Sequence, residues 1–159
     1  MLFWGIPLII VTFFFMEFVA WATHKYIMHG LLWYLHKDHH QPEPGFFEKN
    51  DAFFLIFAIP SWLGIMFGMI YSYYVFVFIG IGIAIYGFAY FLIHDIYIHR
   101  RANWLKKIDN PYFMALRNAH KTHHKYKEKE DGECFGMLVV PPKFYAAARK
   151  SFLKKRKKK

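Results

Sequence analysis

The sequence predicts an all-α integral membrane protein with about three transmembrane helices, of which the second and third form a hairpin. Of its 159 residues 56% are hydrophobic, and they are gathered into blocks long enough to cross a bilayer. The ten histidines fall into four short clusters outside those blocks. We therefore expect helical extensions of the spans, on the cytoplasmic side, to carry a histidine-rich dimetal site.

The first span is predicted at about residues 2–23. Its length matches the roughly 20 residues that cross a hydrocarbon core of about 30 Å, and Glu17 is its only charged residue. It has no basic start, short apolar core or small-residue cleavage site, which a secretory signal would have. We expect this segment to stay in the membrane.

The second and third spans are predicted from the block 52–93, which contains no charged residue. One helix of that length would measure about 63 Å, far too long for a single crossing. Two spans at about 52–71 and 74–93, with a turn at the tyrosine-rich residues 71–74, fit better. Three spans place residues 24–51 and the chain from His94 onward on one side. All 21 Lys and Arg lie there too, so the positive-inside rule makes this side cytoplasmic.

The histidine clusters repeat one formula, HxxxxH followed by HxxHH, as HKYIMH and HKDHH early and as HDIYIH and HKTHH late. Imidazole suits iron, zinc, copper and nickel, and ten imidazoles are too many for one ion but suit two. The predicted ligands are His24, His29, His36, His39, His40, His94, His99, His120, His123 and His124. Asp38, Asp95 and Glu17 are candidates to orient ligands, although each could equally be a carboxylate that meets water.

The local spacing supports coordination. The histidines of HxxHH stand at i, i+3 and i+4, which share one face of a helix. Asn110 followed by Pro111 predicts the start of a helix that runs through His120 to about residue 127. The HxxxxH pairs stand about 140° apart on a regular helix, so either that helix is distorted or its two histidines reach different metals.

Four stretches, HKYIMHG, LHKDHH, HDIYIHRR and AHKTHH, lie in this order around a charge-free hairpin. They resemble the histidine boxes of the fatty acid hydroxylase and sterol desaturase superfamily. FFEKND at residues 46–51 and ECFGMLVVPP at residues 133–142 are similar to flanking signatures of its bacterial-type β-carotene hydroxylases. One departure is Ile96, where that family often has Gly.

The resemblance implies a single membrane-embedded hydroxylase domain over residues 1–159, a non-haem di-iron monooxygenase. It would convert β-carotene through β-cryptoxanthin to zeaxanthin, with O2 as co-substrate and a reduced ferredoxin as external electron donor. Nothing in the sequence resembles a flavin or nicotinamide site of its own. The open alternatives are a hydroxylase or desaturase of the same superfamily that acts on a fatty acyl or sterol-type lipid, and a non-enzymatic metal-binding membrane protein.

The location and the remaining partners are expected from charge. The basic tail at residues 149–159 is expected to meet anionic lipid headgroups rather than nucleic acid. The short chain favours a bacterial inner membrane, with the histidine clusters and the C-terminus in the cytoplasm.

Overall fold

The computed structural model describes residues 2–45, 47–126 and 132–157, and within these ranges the regular structure is entirely helical. Helix α1 (Leu2–Ala22) continues into a π-helix, π1 (Thr23–Leu31), and is followed by α2 (Trp33–His40). A 3₁₀ turn (Lys49–Asp51) leads into α3 (Ala52–Ile70). Helix α4 (Tyr74–Tyr90) continues into a second π-helix, π2 (Phe91–Ile98), and α5 (Pro111–His123) and α6 (Pro142–Arg156) complete the chain.

Three continuous helical segments are long and apolar enough to cross a membrane: Phe3–Leu31, Lys49–Ile70 and Tyr74–Ile98. Helices α3 and α4 pack along each other as a hairpin, and α1 packs against α4. Large apolar side chains such as Phe14, Leu55 and Phe76 are exposed on the surface of the bundle, as lipid-facing residues would be. The predicted three-helix membrane architecture is confirmed.

Glycines allow the three spans to approach closely. A Cβ at Gly82 would lie 2.6 Å from Cβ of Thr12, and one at Gly80 would lie 2.7 Å from the carbonyl oxygen of Ser61. Across the hairpin, the Ser61 hydroxyl donates a hydrogen bond of 2.7 Å to the Gly80 carbonyl. The hydrophobic effect does not drive helices together in lipid, so close van der Waals packing at small residues stabilises these crossings instead.

The histidine clusters all lie at one end of this bundle, on π1, α2, π2 and α5. Helix α5 begins at the predicted place, because the Asn110 side chain accepts a hydrogen bond of 2.8 Å from the Tyr112 N–H; it ends at His123, four residues earlier than predicted. Helix α6 packs against α5 and carries the basic tail as far as Arg156. Residues 158 and 159 of that tail lie outside the described residues.

Substituting Gly82 with Ala should lower the thermal unfolding midpoint in detergent, because the added methyl group meets Thr12 and the Ile9 carbonyl. Overpacking of this kind costs about 1–3 kcal/mol. Gly87→Ala on the same helix is the matched control, since its Cβ would meet nothing within 4 Å. Equal midpoints for the two variants would contradict this packing.

Candidate metal centre

Nine of the ten histidines form two compact groups, each with its potential ligand atoms within 4.8 Å of one another. The first group contains His24, His29, His36, His40 and His123. The second group contains His39, His99, His120 and His124. The predicted histidine-rich cluster therefore exists, and it is divided into two sets that could each hold a metal ion.

The π-helices explain how HxxxxH can serve a metal. In a π-helix the backbone bond runs from residue i+5 to residue i, so positions five apart lie over one another. The N–H of His99 donates such a bond of 2.9 Å to the His94 carbonyl. In π1 the same spacing brings His24 and His29 into the first group. Of the two readings of this spacing, the distorted helix is the one observed.

The two HxxHH motifs are split between the groups. In the early motif, His36 and His40 belong to the first group and His39 belongs to the second. In the late motif, His120 and His124 belong to the second group and His123 belongs to the first. The two halves of the sequence thus exchange one histidine each. By this approximate symmetry His94 corresponds to His24, which belongs to the first group.

His94 lies beside the second group without meeting the distance limit that defines it. Its ring centroid is 4.6 Å from that of His99 and 4.7 Å from that of His120. Its Nδ1 lies 3.5 Å from a carboxylate oxygen of Asp95, but has no hydrogen-bond partner among the described residues. The side chain is buried and lies against two members of the second group.

Hydrogen bonds fix the tautomer of four histidines. Nδ1 of His24 lies 2.9 Å from the Phe135 carbonyl oxygen, and Nδ1 of His123 lies 3.2 Å from that of Glu133. Nδ1 of His36 lies 2.7 Å from Oδ1 of Asn50, and Nδ1 of His39 lies 2.9 Å from Oε2 of Glu48. Because these oxygens accept, each Nδ1 donates, and each Nε2 keeps its lone pair for a metal.

The distances between Nε2 atoms fit a metal ion between them. The His24 and His36 Nε2 atoms are 3.0 Å apart, and His36 and His40 are 3.1 Å apart. In the second group, Nε2 of His120 lies 2.8 Å from those of His99 and His124. Two ligands about 2.1 Å from one ion and at right angles to each other are about 3 Å apart. Facing lone pairs repel at this distance unless a cation lies between them, so the donor set fits a metal.

The electrostatic environment keeps these imidazoles neutral. Burial is the largest cause in every case, and it lowers the pKa of His36 to about 3 and that of His124 to about 4. Burial also lowers the pKa of His99 and His123 to about 2. The pKa values of His39, His40 and His120 are lowered by burial as well. Near neutral pH, protons therefore do not compete with a metal for these ligands.

A charged network around Arg101 supports the ligands from outside. Its guanidinium lies 2.7 Å from Asp51, 3.4 Å from Glu48 and 3.5 Å from Asp95. Glu48 in turn accepts from a histidine of the second group. Asn50 lies in the 3₁₀ turn that begins directly after Glu48, and it accepts from a histidine of the first group. This short segment therefore orients one ligand in each group.

The three carboxylates singled out from the sequence have different surroundings. Asp95 lies between His94 and Arg101. Asp38 is buried and accepts from the backbone N–H of Lys49. Glu17 accepts hydrogen bonds from the backbone of residues 137–139 and from Tyr86.

Four acceptors that orient histidines were not predicted from the sequence. They are the side chains of Glu48 and Asn50 and the backbone carbonyls of Glu133 and Phe135. All four lie within FFEKND or ECFGMLVVPP, the two flanking stretches of the resemblance. The similarity of these two stretches to the family could therefore have indicated this part of the site. A backbone carbonyl, however, cannot be recognised as an acceptor from the type of its residue.

An apolar cavity of about 600 Å³ lies among the three spans and reaches the histidines. Met16, Phe57, Ile65 and Ile83 line its apolar part. His24, His94, Asn50, Asp51 and Asp95 line its polar part. At one end, an apolar molecule in this cavity would meet His24 of the first group and His94, which lies beside the second group.

The profile of the family described as "Fatty acid hydroxylase" matches residues 9–140 of the chain. A protein of Pantoea ananas named "Beta-carotene hydroxylase" is 38% identical over 139 residues, which cover 87% of this chain and 79% of that protein. One of the same name from Paracoccus sp. (strain PC1) is 33% identical over 85% of this chain and 83% of its own length. "Beta-carotene hydroxylase 1, chloroplastic" from Capsicum annuum is 35% identical over 79% of this chain and 40% of its length. No solved structure matches.

The metal-free protein should lose stability as the pH falls from about 6.5 to 4. Unfolded histidines protonate near pH 6.5, whereas those with lowered pKa values stay neutral when folded. The unfolded state then binds more protons, and each such histidine costs up to about 1.4 kcal/mol per pH unit. Thermal unfolding in detergent with a chelator would measure this. His124→Asn should make the dependence shallower, and an unchanged midpoint from pH 7 to 5 would contradict burial of neutral imidazoles.

Replacing either Glu48 or Asn50 with Ala should weaken binding of a divalent metal about 10–100-fold, because a ligand loses the acceptor that orients it. Metal titration of the purified apoprotein would measure the affinity. Glu43→Ala is the matched control, since Glu43 is exposed and makes an ion pair of 3.8 Å with Lys49 at the surface. If all three variants bind metal equally, these acceptors do not orient ligands.

Proposed function

The chain belongs to the fatty acid hydroxylase family, and we propose that it is a carotenoid β-ring 3-hydroxylase that converts β-carotene through β-cryptoxanthin to zeaxanthin. The observation that carries the proposal is the apolar cavity, which extends from among the spans to the histidines. The names of the relatives support the choice of substrate.

The cavity suits the end of a long hydrocarbon. A volume of about 600 Å³ lies within the range of about 300–1,000 Å³ that is usual for small-molecule sites. It accommodates a six-membered ring together with part of the attached polyene. Phe57, Ile65 and Ile83 offer no hydrogen-bond partner to water in that part of the cavity, and the histidine end would then receive the ring carbon that is to be hydroxylated.

We propose that the two histidine groups hold two iron ions, with His94 as a fifth ligand of the second group. When bound, the iron centre would supply the dioxygen chemistry that no side chain provides, with one oxygen atom ending as the hydroxyl and the other as water. The chain's part is to hold the ligands neutral, to orient them through Nδ1 and to keep the cavity dry. Zinc would occupy the same nitrogens without redox chemistry.

The two electrons would come from a reduced ferredoxin at the histidine end of the bundle, which we place in the cytoplasm of a bacterial cell. Lys37, Lys121 and Lys125 are exposed on or next to the histidine-bearing helices and would attract an acidic donor. The exposed lysines of α6 would meet anionic headgroups of the inner membrane on the same side.

Expression in bacteria that accumulate β-carotene tests the substrate and the reaction together. We expect β-cryptoxanthin and zeaxanthin to appear in pigment extracts separated by chromatography against authentic standards. His123→Ala should abolish both products while the protein is still recovered in the membrane fraction, because the variant lacks a ligand of the first group.

Two outcomes would contradict the proposal. Unchanged β-carotene in cells that hold iron-loaded protein and a competent donor would exclude this substrate, and hydroxylated or desaturated acyl chains or sterols in the same extracts would identify the other lipid class. Full activity of His123→Ala would exclude the metal assignment.

A further inference from the structure

Glu17 is the one charged residue of α1, and its carboxylate is buried with an exposed fraction of 8%. Its Oε1 accepts hydrogen bonds from three successive backbone N–H groups: Met137 at 2.9 Å, Leu138 at 2.7 Å and Val139 at 3.0 Å. Its Oε2 accepts one of 2.7 Å from the Tyr86 hydroxyl on α4. All four partners donate, so the site is built for a carboxylate.

The bound backbone belongs to a non-helical segment, residues 133–139, which we call the strap. The strap lies against a membrane-spanning helix, where backbone N–H groups without acceptors cost several kcal/mol each. Glu17 supplies the acceptor for three of them. Gly136 permits the approach, since a Cβ at this position would lie 2.8 Å from Oε1 of Glu17.

The other end of the strap reaches the first histidine group. The Phe135 carbonyl accepts from Nδ1 of His24, and the Glu133 carbonyl accepts from Nδ1 of His123. The Phe135 ring is buried and packs on His24, His29 and His123, with centroid distances of 5.5, 5.3 and 5.0 Å. Within the described residues, the strap contacts histidines of this group alone.

We propose that Glu17 is a positioning residue for the first metal group, acting through the strap. By holding the N–H groups of residues 137–139 it fixes the two carbonyls that set the tautomer and direction of His24 and His123. The second group has its own acceptor in Glu48 and does not depend on Glu17. The inference rests on the metal-binding part of the proposed function and is independent of the substrate.

Glu17→Ala and Glu17→Gln separate the hydrogen bonds from the charge. In the Ala variant the strap loses its acceptor. In the Gln variant the amide oxygen can still accept the three N–H groups while the amide nitrogen donates to the Tyr86 oxygen. We therefore expect Gln to preserve what Ala destroys. Thr12→Val on the same helix is the matched control, because it removes a buried hydroxyl away from the strap.

The first readout is hydrogen exchange of the metal-free protein in detergent, followed by mass spectrometry of peptides covering the strap. Glu17→Ala should exchange these amides at least tenfold faster than the wild type, with Glu17→Gln and Thr12→Val close to the wild type. Protected amides in Glu17→Ala would overturn the inference whether or not the protein binds iron or hydroxylates a carotenoid.

The second readout is titration of the apoprotein with Co²⁺, whose visible absorption reports each site. Wild type, Glu17→Gln and Thr12→Val should bind two ions tightly. Glu17→Ala should bind one ion as tightly as the wild type and the other about 10–100-fold more weakly. Equal weakening of both sites, or none, would overturn the inference. A wild type that binds no Co²⁺ would overturn the metal assignment itself.

If Glu17→Ala cannot be recovered folded, Gly136→Ala tests the same contact from the other side. Its methyl group displaces the strap from Oε1 of Glu17 while the carboxylate stays in its helix. We expect the same selective weakening of one Co²⁺ site. Wild-type affinity at both sites in this variant, together with faster exchange of the strap amides, would overturn the proposal.

Discussion

The convergence of imidazole lone pairs is the constraint on which the rest of this structure depends. His24 and His36 both donate through Nδ1, so their Nε2 lone pairs, 3.0 Å apart, repel one another unless a cation lies between them. The rings must also be neutral, and burial achieves this by lowering their pKa values. A buried neutral imidazole still needs a partner for its Nδ1 proton. The outer hydrogen bonds, the π-helices and the strap all serve these needs.

Each half of the sequence contributes histidines to both metal groups. The first group takes His123 from the late half and the second group takes His39 from the early half, so each group combines histidines of both halves. The early histidines follow α1 and the late ones follow α4, and these two helices pack against each other in the membrane. The packing of the spans therefore determines whether two metal groups exist at all.

The three helices and the gathering of the histidines at one end could be predicted from the sequence, because both follow from composition along the chain. An uncharged block of that length has to cross twice, and two crossings return the late histidines to the early ones. The division into two groups could not be predicted. The positions i, i+3 and i+4 share a helix face, but only tertiary packing places His39 in the second group while His36 and His40 lie in the first. The π-helices follow from the same packing, since a spacing of five residues is equally compatible with a regular helix that serves two metals.

Glu17 shows most clearly why part of the site was beyond sequence reasoning. From the sequence, Glu17 is a candidate to orient a metal ligand. Its partners are instead backbone N–H groups about 120 residues away, which carry no signature in the residue type. A carboxylate in a span must find donors, and a non-helical segment beside a span must find acceptors. The Glu17 carboxylate and the N–H groups of the strap therefore remove the cost of burying each other. The strap that this contact fixes in place is the segment whose carbonyls hold His24 and His123.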